Sequence, residues 1–189
     1  MQKENFYAME GLDAVGKSTV RDLLKEKGYF VLKTPPDSFA APRESYDGME
    51  VLPRFLFYLM GVMKAAEEVN LIQPGQIAVC DRYVLTTIAA HEAMGLPDLY
   101  IATATPILKS LPVPKNTFLL VADEEVRIER MRKRGANEND IANLKINSKL
   151  IEGYRKWSAL LGHNLHEVDT TNIRELQVAE YIQDTIHSR

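Results

Sequence analysis

FYAMEGLDAVGKSTV, residues 6–20, opens with a short apolar run typical of a buried strand and continues with the residue spacing of a helix. Between these segments, GLDAVGKS at residues 11–18 matches the pattern G-x-x-x-x-G-K-[ST] at every position. Glycines let backbone N–H groups converge on phosphate oxygens, and the first turn of the following helix adds positive potential. The stretch therefore predicts a cradle for the phosphates of a nucleoside triphosphate.

The polar side chains of this cradle have expected roles. Lys17 should reach the β- and γ-phosphates of ATP, and the Ser18 hydroxyl should bind Mg²⁺. A glycine-rich structural turn is the alternative, which the position between a strand and a helix disfavours. The predicted ATP-binding residues are Gly11, Leu12, Asp13, Ala14, Val15, Gly16, Lys17, Ser18 and Thr19.

The composition is that of a single globular domain spanning residues 1–189, with 46% apolar and 26% charged residues. The net charge is -3 and the basic residues are spread along the chain, which argues against a nucleic-acid polymer as partner. The one cysteine, Cys80, excludes an intrachain disulfide and agrees with a cytoplasmic location. We see no signal peptide, and the longest apolar run, residues 55–63, is too short to span a membrane.

Short apolar runs alternate with longer segments of helical spacing along the whole chain. Because parallel strands need crossover helices, this order predicts an α/β fold, a five-stranded parallel sheet covered by helices on both faces. Strands are predicted at residues 6–9, 29–32, 77–80, 117–121 and 165–168. Helices are predicted near residues 17–27, 51–69, 83–94, 103–110, 123–134, 140–161 and 172–187.

Three local signals refine this order of elements. Gly28 fits the stop of the first helix, and Asn172 fits the N-cap of the last. Residues 34–50, rich in Pro, Ser and Asp, are predicted to form a loop on the functional rim.

Asp81, Arg82 and Tyr83 directly follow the third predicted strand, at the edge where ligands bind in open α/β sheets. The carboxylate of Asp81 can orient Mg²⁺ through water, and Arg82 can hold a second phosphate. An Asp–Arg pair that caps the next helix is the structural alternative. Beside a triphosphate cradle, the functional interpretation is favoured.

The sequence resembles the thymidylate kinase family of nucleoside monophosphate kinases over nearly its whole length. The motifs that carry the resemblance, in family order, are EGLDAVGKST at 10–19, FLF at 55–57, DRY at 81–83, RMRKRG at 130–135 and VDTTN at 168–172. The resemblance implies a P-loop NTPase-type three-layer α/β/α fold with a short helical lid. It also implies Mg²⁺ as cofactor and ATP as phosphate donor.

The resemblance further implies roles on the acceptor side. Asp13 should face the 3′-hydroxyl of the acceptor sugar, and Arg82 should grip the acceptor phosphate, with Tyr83 also in the acceptor site. Phe57 should stack on the base, since it precedes Asp81 by 24 residues, as the stacking phenylalanine of the family does. Without the resemblance, Phe57 would be an ordinary core residue.

Arg127, Arg130 and Arg134 share one face of the helix that follows the fourth strand. One interpretation is a solvated charged face. The other is that Arg130 or Arg134 leads into a mobile lid at about residues 134–145 and neutralises charge on the transferring phosphoryl group. The predicted catalytic residues are Lys17, Arg82, Arg130 and Arg134.

Several positions depart from the family pattern. The loop after the second strand lacks the usual arginine for the acceptor phosphate, which leaves Arg43 or Arg54 as replacements. The arginine that reads thymine is replaced by Gly61, and the aromatic residue that excludes a ribose hydroxyl by Ala90. His91 is a candidate base contact, although a lone histidine is more often structural.

The sequence thus predicts an ATP-dependent nucleoside monophosphate kinase that binds small-molecule nucleotides, with dTMP as the favoured acceptor. Alternatives are a kinase for another or modified pyrimidine nucleotide, a deoxynucleoside kinase with Glu10 as base, and a regulator that binds nucleotide without catalysis. The apolar helix around residues 55–63 suggests a homodimer.

Overall fold

A five-stranded parallel sheet forms the centre of the computed structural model, which describes residues 2–135 and 146–188. The strands are β1 (Gln2–Gly11), β2 (Phe30–Lys33), β3 (Ala78–Asp81), β4 (Val113–Val121) and β5 (Leu165–Asp169). Their order in the sheet is β2-β3-β1-β4-β5, so the first strand lies in the middle. The predicted five-stranded parallel sheet is confirmed.

Helices connect the strands and flank the sheet. The helices are α1 (Lys17–Glu26), α2 (Ala40–Asp47), α3 (Val51–Asn70), α4 (Val84–Ala93), α5 (Asp98–Ser110), α6 (Glu124–Arg134), α7 (Asn147–Leu161) and α8 (Glu175–His187). Every residue of β1 from Phe6 to Gly11 is buried, which requires cover on both faces of the sheet. The α/β fold with flanking helices is therefore as predicted.

The register of the sheet sets two predicted motifs side by side. Met9 of β1 pairs with Asp81 of β3, and the Arg82 N–H donates to the Met9 carbonyl at 2.8 Å. The glycine-rich turn after β1 and the triplet that begins at Asp81 therefore leave the same edge of the sheet, at neighbouring strand ends.

The prediction of a loop over residues 34–50 is wrong. The segment contains a 3₁₀ turn (Asp37–Phe39) followed by α2, which has no buried residue. Pro42 lies in the first turn of α2, where a missing N–H removes no helical hydrogen bond. A segment rich in turn-forming residues therefore contains a short helix in this protein.

Several element ends differ from the predictions, and β1 and β4 each begin four residues before the predicted start. Gly28 does follow the end of α1, with φ +90°. The predicted N-cap at Asn172 is wrong, because α8 begins later, with Arg174 as its N-cap and the Gln177 side chain accepting from the Arg174 N–H at 2.9 Å. Helix α5 begins at Asp98, before the predicted start. The predicted helix over 140–161 begins at Asn147 among the described residues, and 140–145 lie outside them.

The outer face of α3 exposes apolar side chains. Leu56, Met60 and Met63 recur at helical spacing and are each about half exposed, at 49%, 49% and 46%. In the parts of the chain that the structure describes, no helix is long and apolar enough to cross a bilayer.

Candidate active site

The carboxyl ends of the central strands open into two adjoining cavities. The first, of about 640 Å³, is walled by the glycine-rich cradle and Asp81. The second, of about 330 Å³, extends from Asp13 to side chains of α3 and α4. Asp13, Arg43, Arg82 and Arg134 line both cavities. The two cavities therefore share a wall of these charged side chains, which we call the shared wall.

Backbone geometry explains the glycines of the cradle. Gly11 has φ +138°, and a Cβ atom there would lie 2.2 Å from the carbonyl oxygen of Leu120. Gly16 has φ +94° and is the N-cap of α1. A side chain at Gly11 would collide with β4, and one at Gly16 would be strained, so the sequence pattern reflects a steric requirement.

Lys17 is buried at the floor of the first cavity. Its ammonium group donates to the carbonyl oxygens of Gly11 at 2.9 Å and Leu12 at 2.6 Å. Burial lowers the pKa of Lys17 to about 7, and repulsion by Arg82 adds to this effect. Phosphate oxygens are stronger acceptors for an ammonium group than neutral carbonyls are. Lys17 is therefore suited to bind the anion for which the cradle is shaped.

Arg82 lies at the junction of the two cavities. Its backbone has φ +64°, and its Nη1 atom donates to the Gly11 carbonyl at 3.0 Å. Its Nη2 atom contacts Asp13 Oδ1 at 2.5 Å. Asp13 and Arg82 thus form an ion pair on the shared wall. Both residues were predicted to bind the acceptor, although they lie far apart in the sequence.

Ser18 and Asp81, the predicted metal ligands, both line the first cavity. The Asp81 carboxylate lies 3.3 Å from Arg21, and Ser18 is exposed in the first turn of α1. Among the described residues there is no cluster of three or more His, Cys, Asp or Glu side chains that could hold a metal. One hydroxyl and one carboxylate beside a phosphate site suit Mg²⁺, which takes its other ligands from water and phosphate.

Glu10 is fully buried behind the cradle and lines neither cavity. Its carboxylate accepts hydrogen bonds from the Tyr83 N–H at 3.0 Å and from the Thr86 hydroxyl. Burial raises the pKa of Glu10 to about 7, and the hydrogen bond from Thr86 and the charge of Arg82 oppose the shift only in part. Glu10 therefore braces the turn that carries Arg82.

The raised pKa of Glu10 gives a prediction for stability. Between pH 4.5 and about 7 the folded protein binds more protons than the unfolded chain, so stability falls as pH rises through that range. A shift of this size corresponds to roughly 3 kcal/mol. Glu10→Gln keeps one acceptor oxygen for the Tyr83 N–H and should lose this decline, as measured by urea unfolding across the range. Glu26→Gln, at an exposed position of α1, is the control, and equal slopes for all three proteins would contradict the assignment.

One ion pair, between Asp47 and Arg54, and the hydroxyl of Tyr58 join α2 to α3 at the far end of the second cavity. We call Arg43, Asp47, Arg54 and Tyr58 the α2–α3 cluster. The Tyr58 hydroxyl donates to Asp47 Oδ1 at 2.7 Å, and Asp47 lies 3.4 Å from Arg43 and 3.5 Å from Arg54. The sequence predicted a role for Arg43 and Arg54 but none for Asp47 and Tyr58. The signal was helical spacing, since Asp47 lies four residues after Arg43 and Tyr58 four residues after Arg54.

Two predicted acceptor residues, Phe57 and Tyr83, line neither cavity. Phe57 is 2% exposed and stacks on Tyr46, with ring centroids 4.5 Å apart and planes 11° apart. Tyr83 is fully buried. Neighbouring helical residues point about 100° apart, and Tyr58 rather than Phe57 is the α3 aromatic residue on the cavity wall.

Gly61 is explained by the close approach of the loop after β2. A Cβ atom at Gly61 would lie 3.0 Å from Pro35 Cβ, closer than ordinary packing allows. Pro35 therefore fills the space that a side chain at position 61 would need, and no base-reading arginine can lie there without moving the loop. Ala90, which replaces the aromatic residue that the family pattern places there, lines the second cavity.

The three arginines of α6 have different surroundings. Arg127 is 2% exposed, and its Nε atom donates to the Asp13 carbonyl at 2.9 Å. Arg130 donates to the Thr170 carbonyl at 2.8 Å and lines the first cavity, whereas Arg134 lines both cavities. A solvated face is thus wrong for Arg127, whereas Arg130 is partly exposed. The predicted lid lies mostly outside the described residues, which exclude 136–145.

A phosphate cradle after the central strand, a basic turn after its neighbour and a second cavity across a shared wall define a P-loop nucleotide-binding protein of the small kinase class. Comparison with known proteins identifies the family. The family model described as thymidylate kinase matches residues 9–182. This chain belongs to the thymidylate kinase family and is a phosphotransferase.

Individual relatives agree with this assignment. The chain is 36% identical to a probable thymidylate kinase of Archaeoglobus fulgidus over 138 residues, which cover 68% of this chain and 69% of the relative. It is 27% identical to a probable thymidylate kinase of Sulfurisphaera tokodaii, over 92% and 94% of the two chains.

Solved structures share the fold at low sequence identity. Thymidylate kinase from Candida albicans superposes with a TM-score of 0.74 at 19% identity and covers 96% of this chain and 90% of its own. Deoxyadenosine kinase from M. mycoides superposes with a TM-score of 0.77 at 18% identity, over 97% and 100%. Both small kinases therefore have the fold described above.

Proposed function

We propose that this protein transfers the γ-phosphoryl group of ATP to the phosphate of dTMP and forms dTDP. The observation that carries the proposal is the shared wall, where Asp13, Arg43, Arg82 and Arg134 line both cavities. A donor triphosphate in the first cavity and an acceptor monophosphate in the second would meet at this wall. Membership of the thymidylate kinase family supports dTMP as the acceptor.

Positioning and charge neutralisation supply the catalysis of phosphoryl transfer. We assign the donor phosphates to Lys17 and the cradle backbone, and the acceptor phosphate to Arg82. The attacking phosphate oxygen is already anionic, so a general base is unnecessary. Between the two predicted lid arginines, we assign neutralisation of the moving group to Arg134, because Arg134 lines both cavities and Arg130 lines only the first.

We propose Mg²⁺ as the cofactor, held by Ser18 directly and by Asp81 through water. These are oxygen ligands on the first cavity, next to the phosphates that would complete the coordination shell. When bound, the ion neutralises charge on the β- and γ-phosphate oxygens. Arg21 lies 3.3 Å from Asp81 and helps to orient that carboxylate.

The acceptor phosphate needs a second cation besides Arg82. Arg43 lines both cavities, whereas Arg54 lines only the second. We therefore assign Arg43 to the acceptor phosphate and leave Arg54 to the far end of the cavity. Asp13, on the shared wall, is assigned to a hydroxyl of the acceptor sugar.

Two rival functions are less well supported. A deoxynucleoside kinase would need a carboxylate base beside its acceptor hydroxyl, and Glu10 lines neither cavity. A regulator that only binds nucleotide would have no use for arginines on the shared wall. Both observations favour a nucleoside monophosphate kinase.

We further propose that the protein is a cytoplasmic homodimer. Leu56, Met60 and Met63 of α3 form an exposed apolar face, which a second copy of the chain would cover. The single cysteine, Cys80, is buried and free, which suits a reducing compartment. Sedimentation as a monomer at micromolar concentration would refute the dimer.

Coupled ADP release measured over a panel of nucleosides and nucleoside monophosphates tests the proposed function. We expect turnover that depends on ATP, Mg²⁺ and a monophosphate, with dTMP among the best acceptors. Turnover of nucleosides instead of monophosphates would establish the rival kinase activity. If no acceptor supports turnover, the kinase hypothesis fails and a regulator that only binds nucleotide becomes the better interpretation.

A further inference from the structure

The side chain of His91 lies on the wall of the second cavity without a complete set of hydrogen bonds. His91 is 2% exposed, and its Nδ1 atom lies 2.6 Å from the Thr87 carbonyl oxygen, one helical turn earlier on α4. A carbonyl only accepts, so Nδ1 carries the proton and Nε2 is an acceptor. Among the described residues Nε2 has no hydrogen-bond partner. A buried polar atom without a partner is costly and indicates a missing ligand.

The imidazole of His91 is neutral at physiological pH. Burial lowers its pKa to about 4, and the nearby charge of Arg54 adds to the effect, while the Thr87 carbonyl and Asp47 oppose it. The ring packs between Phe55 and Tyr58, with centroid distances of 5.4 and 5.5 Å. His91 therefore presents a fixed, uncharged acceptor.

The groups around His91 are mainly hydrogen-bond donors. Arg54 lines the same cavity, and its Nε atom is buried without a partner in the described chain. The carboxylate of Asp47, the only acidic group of the α2–α3 cluster, already lies next to Tyr58, Arg43 and Arg54. The far end of the cavity thus offers one unsatisfied acceptor among donors.

An imide edge, in which one N–H lies between two carbonyl oxygens, complements this arrangement. Thymine and uracil have such an edge, with N3–H between O4 and O2. Cytosine has a lone pair at N3, which would face the lone pair of His91 Nε2. Chemical complementarity therefore separates these bases at a single atom.

We propose that His91 is a specificity-determining residue that selects a pyrimidine with an imide edge, by accepting a hydrogen bond from N3–H while Arg54 donates to the neighbouring carbonyl. This inference rests on the proposed function, because it names the base in the acceptor cavity. His91 would thus recognise the base in a chain that has Gly61 in place of the arginine that reads thymine in the family. Because Nε2 is buried, the base can reach it only when neighbouring side chains move aside.

The substrate can be changed without changing the protein. We expect wild-type protein to use dTMP with a kcat/KM roughly 10- to 100-fold above those for N3-methyl-dTMP and dCMP, the range that an unpaired buried polar group produces. Equal use of dTMP and N3-methyl-dTMP would overturn the role of His91 while leaving the kinase function intact.

Variants of His91 give a second test. His91→Phe removes the acceptor and should reduce the preference for dTMP over dCMP by about 10-fold or more, whereas His91→Gln, with an amide oxygen, should retain part of it. A purely structural role would lower both substrates equally, and that result would overturn the proposal. The control is His163→Phe, another buried histidine, which bonds Thr117 away from the cavities.

Calorimetry separates failure of this inference from failure of the proposed function. If wild-type protein phosphorylates no nucleotide, the kinase function fails, but the binding of dTMP and N3-methyl-dTMP can still be compared. Binding of dTMP that is at least about 10-fold tighter would uphold the base selection. Equal dissociation constants would overturn it.

Discussion

Replacement of Lys17 by methionine is expected to lower kcat by on the order of 10²- to 10³-fold, the usual loss when one preorganised donor is removed from a developing charge. Methionine is close to lysine in length and fills the same buried space, so the cradle should keep its shape. The measurement is ADP release at saturating ATP and acceptor. Lys25→Met, at an exposed position on the same helix, should be indistinguishable from wild type.

The stability of Lys17→Met distinguishes a catalytic role from a structural one. The pKa of Lys17 is lowered to about 7 by burial, so between that pH and the ordinary value of 10.5 the unfolded chain binds more protons than the folded one. The charged ammonium therefore costs folding free energy near neutral pH, and the cost disappears as pH rises. Methionine should leave the Tm unchanged or raise it. A Tm several degrees lower would instead show that the ammonium holds the loop through Gly11 and Leu12.

The first cavity could be predicted from the sequence because its determinants are local. The apolar run of β1, the glycines and the start of α1 follow one another within fifteen residues, residues 6–20, and each limits the backbone by itself. Gly11 illustrates this, since its contact with Leu120 leaves no room for a side chain. Asp81 and Arg82 were found for a similar reason, because parallel strands end at one edge.

The second cavity could be predicted only in part, because long-range packing forms it. No residue of α2 is buried, so no core-facing stripe marks it as a helix. Its contacts with α3 include the stacking of Tyr46 on Phe57, the hydrogen bond from Tyr58 to Asp47 and the ion pair of Asp47 with Arg54. A residue pattern on α3 does not fix which of Phe57 and Tyr58 faces the cavity. The burial of Arg127 is similarly invisible in the sequence, because the carbonyl it binds lies more than a hundred residues earlier.

The second large effect is expected for Arg82→Ala. We expect kcat/KM for the acceptor to fall by about 10³-fold, at the lower end of the range for a cationic group that stabilises phosphoryl transfer. ATP affinity should change by less than about 3-fold, since the cradle backbone and Lys17 remain. Alanine has the same restriction at φ +64° as arginine, so the substitution adds no new backbone strain there.

Arg82 also contacts Asp13 and the Gly11 carbonyl, so its loss could act through the cradle instead of through the acceptor. Titration of ATP in the absence of acceptor separates these effects: equal losses in ATP affinity and acceptor use would contradict the assignment of Arg82 to the acceptor phosphate. Arg82→Lys keeps the charge and loses the planar pair of donors, so its acceptor kcat/KM should lie between those of wild type and alanine. Arg21→Ala, which removes the partner of Asp81 from the first cavity, should affect ATP and Mg²⁺ more than the acceptor. If Arg82→Ala mainly impairs use of the acceptor and Arg21→Ala mainly impairs use of ATP and Mg²⁺, Arg82 acts on the acceptor and Arg21 on the donor.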